Sequence, residues 1–569
     1  MKKSIAIISA FFVSLVSLAQ TKEAAVTKTL NERYESAAAD FRALVQQNPT
    51  NGEIYFLAGD NYFYWGSLDS AEVMFRKGIE VAPLNPMNYA GLGRIGWMNN
   101  NDALNKAQYE KAIEIMSTKS NKVDKTIQVI TYMKMAETYV QAERKNFEKA
   151  LEYLNKAISI NDTDPELYVQ LGDYHFQSEM EKNAKTGMLN LSLAAAQYSK
   201  ASQLNPRYTR ALLAQGKLLV PARNWEDALK FFNEAIEIDP NYAPAYREKA
   251  ELLYKAGRYP AAVENYSKYL ELNNSCRVQQ RYASFVFETK DYKKAVAELE
   301  KALPCNNQNP FMYRLLGYSY YETGDFTKGL ENIDRFIQMA TEKGSPKILG
   351  SDYAYKGKLL SKAGNDSLGI ETILKAIELD PTYAEGYSDI AAIHFKAKRY
   401  AEAALYYQKK IDLMGEEAGA LEYYYLGQAS FFAKEYATAD AAFEKASSKY
   451  VDAYFWRGRC NFSLDNPEMP TGLANTHFTQ YIQNVTTDAK TIESSKKNLV
   501  IAYSYFGFYY FTQQNFVCSK QAWIAVQMLD PNNEKAKVAL EAEEMKAIAP
   551  DASCEELKLP VPSAVIEEK

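Results

Sequence analysis

The chain has 569 residues and a formal charge of −5, with 66 basic against 71 acidic side chains. That balance disfavours nucleic acid or an acidic lipid surface as a partner. Three histidines leave little material for acid–base or metal chemistry, whereas a 47% hydrophobic content is ample for burial.

In chain order, residues 1–19 read as a signal peptide. Lys2 and Lys3 precede an apolar run from Ile5 to Leu18, too short for a bilayer span of about 20 residues, and Ser17-Leu18-Ala19 forms a small-x-small cleavage site. The mature chain then begins at Gln20 and loses two lysines. No cysteine follows the cleavage site to carry a lipid anchor. The expected location is therefore the periplasm or cell surface, soluble after cleavage, with no later segment able to cross a membrane.

Residues 20–51 read as an incomplete repeat ending at Phe41, Leu44 and Pro49. From 52 to 531 one pattern recurs at a shift of about 34 residues. Tyr55, Gly59, Ala71, Phe75 and Pro83 set the frame; Leu212, Gly216, Ala228, Phe232 and Pro240 repeat it, as do Tyr353, Gly357, Ile373, Ala376 and Pro381, and Tyr503, Gly507, Trp523 and Pro531. Aromatic and small residues three or four apart share one helical face, and the Asn-Pro or Asp-Pro steps separate one unit from the next. Each unit is thus a pair of helices whose small residues permit close approach.

This order of aromatic, glycine, alanine, aromatic and proline resembles the tetratricopeptide repeat family over nearly the whole mature chain. The resemblance implies an all-α fold, a right-handed superhelical solenoid of antiparallel helix pairs. Small residues from Gly59, Gly93, Ala136 and Gly172, through Gly216, Ala250, Ala283, Gly317, Gly357 and Ala391, to Gly427, Gly458 and Gly507 mark roughly thirteen units. Departures from the period place insertions near 116–125, 177–193, 340–351, 464–473 and 484–497, expected in inter-repeat turns. Residues 532–548 are expected to form a solvent-facing capping helix, and 549–569 a loose tail.

The register absorbs most features that look chemical. Gly91, Gly93 and Gly96 spell G-x-G-x-x-G, but inside a first helix, where a dinucleotide fingerprint lacks its strand. His175 and His394 stand where other units carry tyrosine. No nucleophile, P-loop or paired-cysteine metal signature occurs, so no catalytic residue, cofactor or metal is expected. Cys276 and Cys305 bracket a single unit, and antiparallel helices bring those ends together; a disulfide is expected, two free thiols being the alternative. Pairing of Cys518 with Cys554 is the weaker expectation, and Cys460 reads as buried and inert.

In the family the first helices line the concave side. By that resemblance the partner-binding residues are Phe56, Phe63 and Tyr64, then Arg314, Tyr318 and Tyr321, then Tyr424, Gln428, Phe431, Phe432, Phe455, Arg459, Phe508 and Phe511. Between these groups, Arg210, Lys217, Arg247 and Glu251 are polar and suit a partner of acidic or mixed character. The expected function is a non-enzymatic scaffold holding a peptide segment or partner protein in its groove, a member of an envelope assembly. Simple packing of these rings inside the repeats and stacking on a carbohydrate or cell-wall polymer both stay open as alternatives.

Overall fold

The computed structural model describes residues 21–187, 189–549, 552 and 554. The expected signal peptide and nearly all of the expected tail lie outside these residues. The described residues are all-α, with no strand, and within each unit long helices pack in pairs on their sequence neighbours. The chain divides into two compact units, Met1–Leu315 and Leu316–Lys569.

Local chemistry sets the helix ends. Asn51 caps the helix Gly52–Tyr64 by accepting from the N–H groups of Glu53 and Ile54. Asn85 followed by Pro86, and Asp164 followed by Pro165, open Pro86–Met98 and Pro165–Thr186 in the same way. Within most helix pairs the turn closes through one left-handed residue. At Gly66, for example, φ is 82° and the next N–H, of Ser67, reaches back to the carbonyl of Tyr62 at 2.9 Å.

The register residues bring the paired helices together. A Cβ built on Gly59 would stand 2.5 Å from the Phe75 ring; on Gly172, 2.3 Å from Tyr198; on Gly216, 2.4 Å from Phe232; on Gly507, 2.5 Å from Trp523. Any side chain there would drive the aromatic of the second helix out of its seat. The G-x-G-x-x-G run is explained by the same contacts. Gly91 faces Phe75, Gly93 faces Tyr109, and Gly96 faces the backbone of Asn105.

Two insertions depart from expectation. The 177–193 insertion lengthens a helix, Pro165–Thr186, to 22 residues, and the 484–497 insertion lengthens Ala489–Thr512 to 24. Additional turns keep every backbone group bonded, so a polar insertion with helix-forming residues prolongs the rod instead of looping out. The 464–473 insertion is a true turn, wound around Asp465. Its carboxylate accepts from the N–H groups of Asn466, Thr471, Gly472 and Leu473, and these bonds outweigh desolvation to hold it at about 2.

Cys276 and Cys305 are disulfide-bonded with Cα atoms 5.4 Å apart, and Cys518 and Cys554 with Cα atoms 4.8 Å apart. The second bond fastens part of the expected loose tail onto the helix Phe516–Leu529. Cys460 is buried, and burial pushes its thiol up to about 12. The expected cap is two short helices, Glu534–Leu540 and Glu543–Lys546, with Ala536 and Met545 buried beneath them.

Candidate functional site

In the first unit the inward side chains of successive first helices pair with each other. Arg94, fully buried, bonds Asp60 and lies 3.5 Å from Glu137; Lys134 lies 2.9 Å from Asp60 and 3.3 Å from Glu137. Burial raises the Glu137 carboxyl, but Lys134 and Arg94 outweigh it and bring the group down to about 2. The predicted groove aromatics belong to this cluster. The Phe63 ring lies 4.0 Å under the Arg94 guanidinium, and the Tyr64 hydroxyl donates to Glu137 at 2.6 Å while accepting from Lys134. Phe56 is 1% exposed, packed on Phe75, and has no surface to offer a partner. Arg314 is likewise buried.

Further along, Arg210 pairs with Glu166 at 2.9 Å, and Arg281 with Glu251 at 2.6 Å. Arg247 takes Glu32, from the turn of the first helix pair, at 3.0 Å. Tyr269 donates to the other oxygen of Glu32 at 2.6 Å, and Asn31 reaches Asp239 at 3.4 Å. The first turn therefore crosses to residues more than two hundred positions away. Apart from Lys217, the mixed-charge stretch meets its partner charges within its own unit.

The second unit differs. Tyr318 donates to Asp352 at 2.7 Å and stacks on Tyr355 at 4.0 Å, with Tyr321 edge-on to the same ring. Tyr424 accepts from the Trp456 indole at 3.2 Å, and Gln428 is half-buried beside it. Phe455, at 2% exposure, is a core residue: it packs on Phe478 and Tyr481. Phe432 is 41% exposed against Tyr400, and Phe511 is 40% exposed against Phe516.

Three of the predicted residues, Phe431, Arg459 and Phe508, come together in an open groove of about 1050 Å³. Phe462, Ile501 and Val538 complete its apolar wall. The Arg459 guanidinium lies 4.5 Å over Phe431 and 4.9 Å over Trp456. Burial lowers its pKa, and no carboxylate of the described residues compensates it. Phe462 follows Phe455 by two helical turns, a spacing readable in the sequence. Val538 belongs to the cap, which was expected to face solvent alone; its apolar side instead finishes the groove.

Three sequence models described as tetratricopeptide repeat match, at residues 219–280, at 187–243, and at 52–83 with 131–164. The chain is a tetratricopeptide repeat protein. This tetratricopeptide repeat protein is 24% identical over 394 residues to the TPR repeat-containing protein MJ1428 of Methanocaldococcus jannaschii, covering 69% of the present chain and 61% of that relative. It is 26% identical over 102 residues to the human protein O-mannosyl-transferase TMTC1, covering 18% of the chain and 11% of the relative. Among solved structures, the C-terminal part of a TPR repeat-containing protein from Cytophaga hutchinsonii aligns with a TM-score of 0.42 and 28% identity, over 46% of this chain and all but 1% of that one. Among the described residues no helix is long and apolar enough to cross a membrane.

Proposed function

We propose that this tetratricopeptide repeat protein is an interaction scaffold whose groove in the second unit holds an apolar peptide segment bearing one carboxylate. Repeats of the family generally build interaction scaffolds rather than catalytic centres. The observation that carries the site is Arg459: a half-buried cation on aromatic faces, compensated by no carboxylate of the described residues, in the wall of an open and largely apolar groove. A ligand carboxylate supplies the missing charge, and Phe462, Ile501, Phe508 and Val538 supply apolar contact around it. The rings favour a peptide over a sugar, because Phe462 stands edge-on to Tyr505 at 73° and offers no coplanar platform.

Random dodecapeptides selected on the immobilised chain test this reading. Binders are expected to carry Asp or Glu flanked by apolar residues, and Arg459→Gln or Phe508→Ala is expected to weaken them about tenfold or more. Selected peptides indifferent to both substitutions would remove the groove from the proposal.

We place the scaffold in the periplasm or envelope. Lys2, Lys3 and the apolar run to Leu18 support export, as do two paired sets of cysteines among five. Alkylation of the chain in intact cells, before any reduction, is expected to leave Cys276, Cys305, Cys518 and Cys554 unlabelled; labelling of all four would place the chain in a reducing compartment.

A further inference from the structure

Glu32 breaks the local rules of its own position. It ends the first helix of its pair, Lys22–Leu30, at φ 56°, in the left-handed region. The other non-glycine residues that close such a turn are Asn100, Arg223, Lys290, Lys398, Lys434 and Gln514, all neutral or cationic. That preference is physical, since the carbonyl end of a helix favours positive charge and disfavours negative charge. A left-handed glutamate adds backbone strain that glycine would not feel. Nothing within the turn offsets these costs.

The offset comes from across the unit. Arg247 and Tyr269 hold the two carboxylate oxygens at 3.0 and 2.6 Å. Tyr269 is itself positioned, because Asn273 donates to its hydroxyl oxygen at 3.2 Å and leaves the phenolic proton for the carboxylate. Yet the Arg247 fork is only partly used: Nη2 serves both Glu32 and Glu248, while Nε is buried without an acceptor. A carboxylate spanning Nε and Nη2 would make the stronger two-pronged contact. Two cavities, of about 290 and 380 Å³, carry Glu32 and Arg247 in their walls. The larger also carries Asp173, already engaged by the Tyr198 hydroxyl at 2.7 Å and by Arg210 at 3.7 Å, together with Lys217, which forms no ion pair among the described residues, and Lys145, whose ammonium donates to the backbone carbonyls of Val140 and Ala142. A second acidic residue is suited to that wall.

We propose that Arg247 and Tyr269 form a carboxylate-binding site on the inner face of the first unit, that Glu32 fills it from the chain's own first turn, and that an acidic segment of a partner takes it over by displacing Glu32. The first helix pair is then a latch, released by the ligand that replaces it. This site is separate from the Arg459 groove and stands or falls independently of it.

The test uses the full chain and a fluorescein-labelled dodecaglutamate peptide as the probe. Removing the internal competitor with Glu32→Ala is expected to tighten probe binding about tenfold, and Glu32→Ala with Arg247→Met to abolish the gain. Adding unlabelled probe to the wild-type chain is expected to speed amide hydrogen exchange in residues 22–47. Should Glu32→Ala loosen the unit as judged by circular dichroism, Glu32→Gln keeps the side-chain size and serves in its place. Equal affinity of wild type and the Glu32 variant, or a gain that survives loss of Arg247, would overturn the site. Probe binding without faster exchange in residues 22–47 would overturn the displacement.

Discussion

A methyl group added at Gly93 would stand 2.3 Å from Cδ1 of Tyr109. That ring is 2% exposed and is held edge-on by Tyr139 and Tyr153, so it has no path away. Alanine gains about 1 kcal/mol of helix propensity over glycine, while overpacking a fixed core costs about 1–3 kcal/mol. Gly93→Ala is therefore expected to destabilise the first unit by up to about 2 kcal/mol in urea unfolding, and a stabilised variant would contradict the packing account. In the sequence Gly93 falls in register with Gly59, while Gly91 and Gly96 show only as the rest of a G-x-G-x-x-G run inside a first helix. What a single sequence does not display is that Gly91 and Gly96 also sit against neighbours, at Phe75 and at the Asn105 backbone, as closely as Gly93 does.

At the scale of the element, the Cys276–Cys305 bond clamps the helices Cys276–Glu288 and Tyr292–Ala302 at their open end. Its sequence separation of 29 lies between loops for which chain-entropy reasoning gives about 3 and 4.7 kcal/mol. Cys276→Ser should thus cost the first unit about 3 kcal/mol under oxidising conditions and nothing once reductant is present. An unchanged urea midpoint in oxidising buffer would show the bond to be idle. Helix pairs were legible because aromatic and small residues keep a strict spacing. The two long helices were not, because a shift in period reports added length without its conformation; Gln177 to Thr186 and Ala489 to Lys497 are polar enough for either a loop or a rod.

Over the whole molecule the two units treat their inner residues differently. The first neutralises its charges internally, through Asp60, Arg94, Lys134 and Glu137, and through Glu166 with Arg210. Most of the large apolar side chains left exposed among the described residues lie after Leu315, Phe432, Phe462, Ile501 and Phe508 among them. Helical-face reasoning found the aromatics that point inward, but it could not tell spent rings from open ones. Phe63 and Tyr64 occupy the same kind of position as Phe511 and Phe432, which stay 40% and 41% exposed. The difference lies in Arg94 and Glu137, supplied by later repeats and invisible to any local pattern. Glu32 was missed for the same reason, since its partners Arg247 and Tyr269 lie over two hundred residues downstream.

That pairing has a mechanical side. A solenoid whose repeats touch only their neighbours stretches like a coil spring, each junction giving a little and the increments adding along its length. Fastening residue 32 to residues 247 and 269 ties the first turn of the coil to a much later one. The intervening repeats then share any load as a closed loop, and the pitch of that stretch is fixed until Glu32 lets go.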